Sequence, residues 1–247
     1  MTRWRVALTR PEAGELGDRL LELGAELVHV PLIAIADPAD GGIACRAALD
    51  RLDDVDWLVV TSANGARRVG AAAAGHPHVR LAAVGRATAD VLAAESGRPV
   101  DVVPALERAE GLLAAFPPPP VGGRSRVLLA QADRARPALA EGLDAAGHDV
   151  ESVVAYRTVE RRPSPDEVAA LATADAVVLA SGSAASAYAA AVPAEARGAH
   201  GPVVVAIGPV TAAAAEHAGL TVSRVAGSPD VAGLVRLLQS VRPQPAP

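Results

Sequence analysis

The sequence predicts an α/β protein built from two similar parallel-sheet lobes, and three observations predict it. Short apolar runs alternate with helical stretches from one end to the other, as strand–helix–strand units do. The length of 247 residues allows two domains of ordinary size. One pattern also occurs twice. Leu58-Val59-Val60-Thr61-Ser62-Ala63-Asn64-Gly65 is followed by Val84-Gly85-Arg86-Ala87-Thr88-Ala89, and Val177-Val178-Leu179-Ala180-Ser181-Gly182-Ser183-Ala184 by Ile207-Gly208-Pro209-Val210-Thr211-Ala212. The offset is 119 residues from Ser62 to Ser181 and 123 from Gly85 to Gly208, so four extra residues lie inside the second copy.

Each element follows from local pattern. Val6 to Thr9 reads as a strand, Pro11 opens a helix carrying Leu16, Leu20 and Leu23, and Gly24 stops it. Leu27 to Ile35 reads as a strand broken by Pro31. A helix over 47–52, a strand over 58–61 and a helix over 64–74 follow, then strand 81–84, helix 88–95, strand 100–103 and helix 108–115. The Pro117-to-Gly123 loop reads equally as a linker or as an exposed connection within a domain. Strand 127–130, helix 136–146 with Gly147 as its stop, and the long strand 150–158 repeat the opening strand–helix–Gly–strand order, so the duplication spans the chain. Helix 166–173, strand 176–180, helix 184–191, strand 203–207, helix 211–217, strand 221–225 and helix 230–240 complete it, before a Pro-rich tail at 243–247 expected to fray.

Composition narrows the chemistry. All 23 basic residues are Arg, which removes a lysine Schiff base, an internal pyridoxal aldimine and a Walker A lysine. Cys45 is the sole cysteine, so neither an intrachain disulfide nor a cysteine metal cluster can form. His76 and His78 flank Pro77, a pattern of a surface turn rather than a metal site, and no cofactor or metal is expected. A net charge of −5 without a basic block argues against nucleic acid and anionic membrane. No apolar run approaches the ~18 residues of a span, and the first residues lack a signal peptide's apolar segment. A cytoplasmic monomer is the expectation.

The repeated motifs place Ser at a strand end and helix start. By itself such a Ser is a helix cap. The same helix start offers unpaired N–H groups and the positive end of the helix dipole to carboxylate or phosphate. Gly85 and Gly208 admit close backbone approach, and Thr88 and Thr211 stand in the first helical turn as caps or as hydroxyls offered to a ligand. No Gly-x-Gly-x-x-Gly follows any strand, so a dinucleotide fingerprint is absent. Arg10 and Arg136 each follow the first strand of their half, as solvated arginines or carboxylate clamps. Tyr156 ends a strand as a half-buried tyrosine or a weak general acid. Tyr188 reads as packing within an alanine-rich helix, and Arg161-Arg162 as a solvated connection.

Joined in order, these pieces resemble the uroporphyrinogen-III synthase family. The resemblance rests on Leu8-Thr9-Arg10-Pro11, Pro31-Leu32-Ile33, Thr61-Ser62-Ala63-Asn64-Gly65, Val84-Gly85 with Thr88-Ala89, Arg136 with Leu139, Tyr156-Arg157-Thr158, Ser181, and Ile207-Gly208-Pro209 with Thr211-Ala212. They span residue 6 to about 235. Ala180 and Ala130-Gln131-Ala132 depart from the family's pattern, in place of a bulkier residue and a Gly-rich turn.

The resemblance implies two flavodoxin-like lobes, one discontinuous, joined by a two-stranded β hinge with a cleft between them. Lobe one would hold residues 1–35 and 160–247 and lobe two 36–159, with crossings at Ile33–Asp37 and Tyr156–Val159. It implies a cofactor-free cyclising lyase acting on hydroxymethylbilane, which bears eight carboxylates. Loss of water leaves an azafulvene on ring A; the substituted carbon of ring D attacks it to give a spiro intermediate, and fragmentation with reclosure inverts ring D. Carried over, Tyr156 is the candidate catalytic residue. Arg10, Pro11, Ser62, Ala63, Asn64, Gly85, Thr88, Arg136, Ser181, Gly182, Ser183, Gly208, Pro209 and Thr211 would bind substrate. A transient handover from the bilane-forming enzyme fits the same reading. Two rivals share the motifs: a noncatalytic two-lobe protein that binds tetrapyrrole or another polyanion, and a nucleotide- or sugar-phosphate enzyme.

Overall fold

The computed structural model describes residues 4–198, 201–228 and 230–243, so the tail expected to fray lies almost wholly outside the described residues. The described residues divide into two compact units, one within Met1–Ala34 and Val159–Pro247, the other Ile35–Thr158. The chain passes from one to the other twice.

The first unit contains β1 (Arg5–Leu8), α1 (Gly14–Glu22), β2 (Glu26–His29), α7 (Pro165–Ala172), β8 (Ala176–Leu179), α8 (Gly182–Ala191), β9 (Val203–Ala206), α9 (Pro209–His217), β10 (Arg224–Val225) and α10 (Val231–Ser240). The second contains α2 (Ile43–Leu49), β4 (Trp57–Val60), α3 (Ala63–Val69), β5 (Arg80–Ala83), α4 (Arg86–Ser96), α5 (Ala109–Ala115), β6 (Arg126–Ala132) and α6 (Ala138–Ala145). β3 (Ile33–Ala36) and β7 (Asp149–Glu160) carry the chain between units and lie side by side at one edge of the second unit's sheet.

The sheets run β2-β1-β8-β9-β10 and β3-β7-β6-β4-β5. By chain order within the first unit, the former is the 2-1-3-4-5 order of flavodoxin-like proteins, whose ligands bind at the strand-order reversal, here between β1 and β8. Matching β8 to β4 and β9 to β5 by the sequence repeat sets β1 against β6 and β2 against β7. The second unit is therefore the same arrangement, circularly permuted. Its counterpart of β10 is a single parallel bridge, Ala82 to Val102.

Helices cover both faces of each sheet, and strand alternation assigns side chains to them. In β4, Trp57 and Val59 join Leu112, Leu139 and Leu143 of α5 and α6, whereas Leu58 and Val60 join Ala48, Ala66 and Leu92 of α2, α3 and α4. In the first unit Leu16 and Leu20 of α1 meet Leu234 and Leu238 of α10, and the opposite face is filled by the alanines of α8 and α9 around Tyr188. Gly24 and Gly147 stop α1 and α6 with φ of +77° and +96°, a backbone state that favours glycine.

Several expected elements differ. The strand expected over 27–35 is two strands in two sheets, parted around Pro31. The strand expected over 100–103 shrinks to the Val102 bridge between Pro99 and Pro104, which have no N–H to give a ladder. Strand 221–225 reduces to β10. The helix expected from Arg136 begins at Ala138, because a residue before proline avoids helical backbone. The helix expected over 47–52 starts at Ile43, where the Asp40 carboxylate accepts from Gly42 and Ala44 N–H, both at 2.8 Å. Arg161 is not a solvated connector: it is half-buried and grips both carboxylate oxygens of Glu167, which completes the Ser164 capping box of α7.

Two buried polar groups make stability predictions. Tyr188 is 0% exposed, its hydroxyl has no partner among the described residues, and burial pushes its pKa up to about 12. Tyr188→Phe is therefore expected to leave urea-unfolding stability unchanged or raise it by about 1 kcal/mol. His148 is buried edge-on to Phe116, its Nδ1 unpartnered among the described residues, and burial lowers its pKa below 6.5. The unfolded chain then binds the proton first, so stability is full above about pH 6.5 and is lost as pH falls toward the folded pKa. His148→Leu should flatten the urea midpoint across that window, above the range where the carboxylates Asp37, Asp40, Glu167 and Asp230, all held below their usual range, titrate.

Candidate active site

The parallel registers bring the repeated motifs to matching places in each unit. Val60 pairs with Ala83, and Ser62 and Gly85 each lie two residues beyond. Leu179 pairs with Ala206, and Ser181 and Gly208 again lie two residues beyond. Ser and Gly thus stand on adjacent strand ends, about 5 Å apart in the hydrogen-bonding direction.

Both serines are helix caps. Ser62 Oγ accepts from Gly65 N–H at 3.2 Å, and Ser181 Oγ from Ala184 N–H at 3.1 Å. The N–H groups of Ala63 and Asn64, and of Gly182 and Ser183, precede any intrahelical acceptor and have no partner among the described residues. Neither threonine is a cap. Gly85 and Gly208 hold the cap positions of α4 and α9 with extended backbone and make no side-chain bond. Thr88 and Thr211 sit three residues on, 8% and 6% exposed, and neither hydroxyl has a hydrogen-bond partner among the described residues. Gly182 has a packing duty as well: a Cβ there would come within 3.1 Å of Ala214 Cβ on α9.

Tyr156 is placed by a bulge. β6 and β7 pair Gln131 with Val154 but Ala132 with Tyr156, so Ala155 is skipped. Burial alternates along Val153, Val154 and Ala155, and then Tyr156 is buried as well, at 7% exposure. The extra residue swings the tyrosine onto the α3 side of the sheet. There its hydroxyl meets Ser62 Oγ at 2.8 Å, with either oxygen as donor. The pair owns two hydroxyl hydrogens and spends one on this bond. One hydrogen is always left to donate outward, from Ser62 or from Tyr156.

The remaining candidates lie on loops at the same strand ends. Arg10 follows β1, where Thr9 ties β1 to β8 through the Val178 carbonyl at 3.0 Å. Its guanidinium has no partner among the described residues, while its carbonyl meets His29 Nε2 at 3.0 Å. Pro11 is half-exposed beside it. Arg136 is exposed in the loop after β6, whose Asp133 N–H donates to the Tyr156 carbonyl at 3.0 Å. The first unit gathers Arg10, Pro11, Ser181, Gly182, Ser183, Gly208, Pro209 and Thr211; the second gathers Ser62, Ala63, Asn64, Gly85, Thr88, Arg136 and Tyr156. Sequence reasoning passed over Arg86, the first residue of α4, which is exposed between Gly85 and Thr88. A lone cation opening a helix, against the dipole, was the available signal.

No group of three metal-ligating side chains exists among the described residues. His76 and His78 bond instead to the carbonyls of Ala72 and Leu52, at 2.9 and 3.3 Å. A concavity lined by Arg51, Asp54 and Arg126 lies at the opposite ends of the strands, and its charges pair among themselves, Arg51 to Glu151 at 2.7 Å.

Fold and strand ends together define a class: a protein of two doubly wound α/β units whose matched helix starts carry open N–H groups and hydroxyls. The model of the uroporphyrinogen-III synthase HemD family, HEM4, matches residues 14–236. The chain belongs to that family. No curated protein sequence matches it. Among solved structures it is similar to a mutant uroporphyrinogen III synthase from the extremely thermophilic bacterium Thermus thermophilus, with TM-score 0.63 and 20% identity over 96% of this chain and 98% of that one. It is also similar to uroporphyrinogen-III synthetase from Helicobacter pylori, with TM-score 0.65 and 16% identity over 98% and 100% of the two chains. At those identities the likeness carries the fold, and the family match carries the activity. The noncatalytic reading gains no support from either.

The two serines make a comparison. Ser181→Ala should cost about 1 kcal/mol, the worth of a cap. Ser62→Ala should cost about 1 kcal/mol more, because it also strands the buried Tyr156 hydroxyl. A double-mutant cycle of Ser62→Ala with Tyr156→Phe in urea unfolding is expected to give a coupling of about 1 kcal/mol, and none for Ser181→Ala with Tyr156→Phe.

Proposed function

We propose that the protein converts hydroxymethylbilane to uroporphyrinogen III, with Tyr156 and Ser62 as the proton-donating pair. The observation that carries the residue assignment is the 2.8 Å bond between the two hydroxyls, which leaves one hydrogen to direct outward. Water leaves ring A: its hydroxyl departs with a proton from the Tyr156–Ser62 pair, the ring A pyrrole N–H gives up a proton that restores the pair, and the neutral azafulvene remains as electrophile. The substituted carbon of ring D closes on it, and the spiro intermediate fragments and recloses inverted. A neutral tyrosine hydroxyl suits such work, because it donates a hydrogen bond to the departing oxygen without first needing to be charged.

The rest of the task is positioning. Uncatalysed closure gives the uninverted isomer, so the protein must hold a flexible chain curled against its spontaneous course. The open N–H groups after Ser62 and Ser181, the hydroxyls of Thr88 and Thr211, and Arg10 and Arg136 each offer a hold on a carboxylate. Pro11, Gly85, Gly208 and Pro209 shape the backbone beside them.

The finer expectations belong to the same proposal: a cytoplasmic monomer that receives its unstable substrate by transient handover. Among the described residues no helix is long and apolar enough to cross a membrane. The large apolar side chains left exposed, including Leu21, Ile43, Leu106 and Val154, sit on separate elements rather than one patch-forming element.

The test is incubation with freshly made hydroxymethylbilane, followed by separation of the oxidised uroporphyrin isomers. Excess type III over spontaneous type I is expected; binding without an isomer shift would restore the carrier reading. Tyr156→Phe is expected to lower turnover by about 100-fold, a common worth of a positioned acid, with type I gaining share. Unchanged turnover would remove Tyr156 from the mechanism.

A further inference from the structure

The repeat is kept in backbone register, while its chemistry changes in the first turn of the helix after each glycine. In the first unit that turn reads Pro209-Val210. Proline brings no N–H, Val210 is 79% exposed, and nothing lies within 4 Å of where a Gly208 Cβ would be. In the second unit it reads Arg86-Ala87, and a carboxylate sits against the Gly85 that precedes it. Glu107 Oε2 lies 2.5 Å, and Glu107 Cβ 3.2 Å, from where a Gly85 Cβ would be. Gly85 has extended backbone, φ −158°, that any residue adopts, so its missing side chain serves this close approach and not a special conformation.

Three features of that turn lack partners among the described residues. The first N–H groups of α4 to find an acceptor are those of Thr88 and Ala89, both to the Gly85 carbonyl at 3.1 and 3.0 Å, so Arg86 and Ala87 N–H are open. The Thr88 hydroxyl is unpartnered among the described residues on a side chain more than nine-tenths buried. The Arg86 guanidinium opens an 11-residue helix, where the dipole disfavours a cation, without an ion pair among the described residues. Glu107 has none either, although its neighbours Arg108 and Glu110 pair at 3.5 Å.

We propose that the first turn of α4 is a carboxylate clamp, made of the Arg86 guanidinium, the Arg86 and Ala87 N–H groups and the Thr88 hydroxyl, and that Glu107 competes with the substrate carboxylate it takes. An arginine among open amides is costly without an anion and favourable with one. Glu107 shows that a carboxylate fits beside Gly85. Its charge raises the local cost of a second one, and so sets the affinity of the clamp. The apolar Pro209-Val210 turn of the first unit has no such grip. The proposal rests on the synthase reading for its substrate but not for its readout.

The test is direct binding of uroporphyrin I, an octacarboxylate that does not turn over, by fluorescence quenching, beside KM for hydroxymethylbilane. Arg86→Ala should weaken binding about three- to tenfold, the range for a charge-assisted contact partly open to solvent, and raise KM alongside. Arg86→Lys should fall between. Glu107→Gln should tighten binding about two- to threefold, and Glu110→Gln, a nearby charge already paired, should not change it. Circular dichroism checks that each variant is folded. Unchanged binding in Arg86→Ala, equal gains in Glu107→Gln and Glu110→Gln, or no uroporphyrin binding by the unmodified protein would each overturn the clamp. Should the unmodified protein yield only type I isomer while the binding shifts appear, the synthase reading fails and the clamp stands.

Discussion

The candidate site depends on parallel pairing in one register. With Val60 opposite Ala83 and Leu179 opposite Ala206, each unit brings a serine-capped helix start level with a glycine-led one. Slip either pair by one residue and every inward side chain of the strand would face the wrong layer of helices. The buried runs Trp57–Val60 and Ala176–Leu179 hold that register, because each strand divides its side chains between two cores. Placement of polar groups at the strand ends is thus a by-product of hydrophobic packing beneath them.

Tyr156 shows how little is needed to turn scaffold into a candidate site. One skipped residue, Ala155, changes which face the tyrosine serves, and its hydroxyl becomes the second partner of a serine already occupied as a cap. The serine's geometry is fixed by the helix, the tyrosine's by the sheet, and the hydrogen bond joins two rigid elements. A pair held from both sides has a fixed orientation, which the role proposed for it requires.

The strands and helices at the heart of each unit were legible because apolar runs of four to seven residues, punctuated by Gly and Pro, leave few readings. Ser62 and Ser181 as caps were legible for the same reason. The order of strands was not, since parallel neighbours can lie far apart in sequence; the resemblance implied flavodoxin-like lobes and a double crossing, which periodicity did not give. Side-chain geometry was less accessible still. The bulge at Ala155 has no residue signature, and Val153-Val154-Ala155-Tyr156 reads as an unbroken strand. Arg161 looks solvated beside Arg162 until Glu167, six residues on, folds back to it. Arg86 hid inside a motif whose glycine and threonine drew the attention. Where strands ended early, at 100–103 and 221–225, the edge of a sheet had too little to pair with.

The interleaving of the units has a consequence for synthesis on the ribosome. Residues 35–158 form a contiguous unit whose sheet can close once Thr158 has left the exit tunnel. The segment from Arg5 to His29 is made first but cannot finish. Its β1 is an inner strand, and the partner on its open side is β8, with Arg5 N–H bonded to the Asp175 carboxylate across 170 residues. Until then β1 offers an unpaired apolar edge, a surface that invites wrong partners. A segment made before the middle unit is therefore completed only after it.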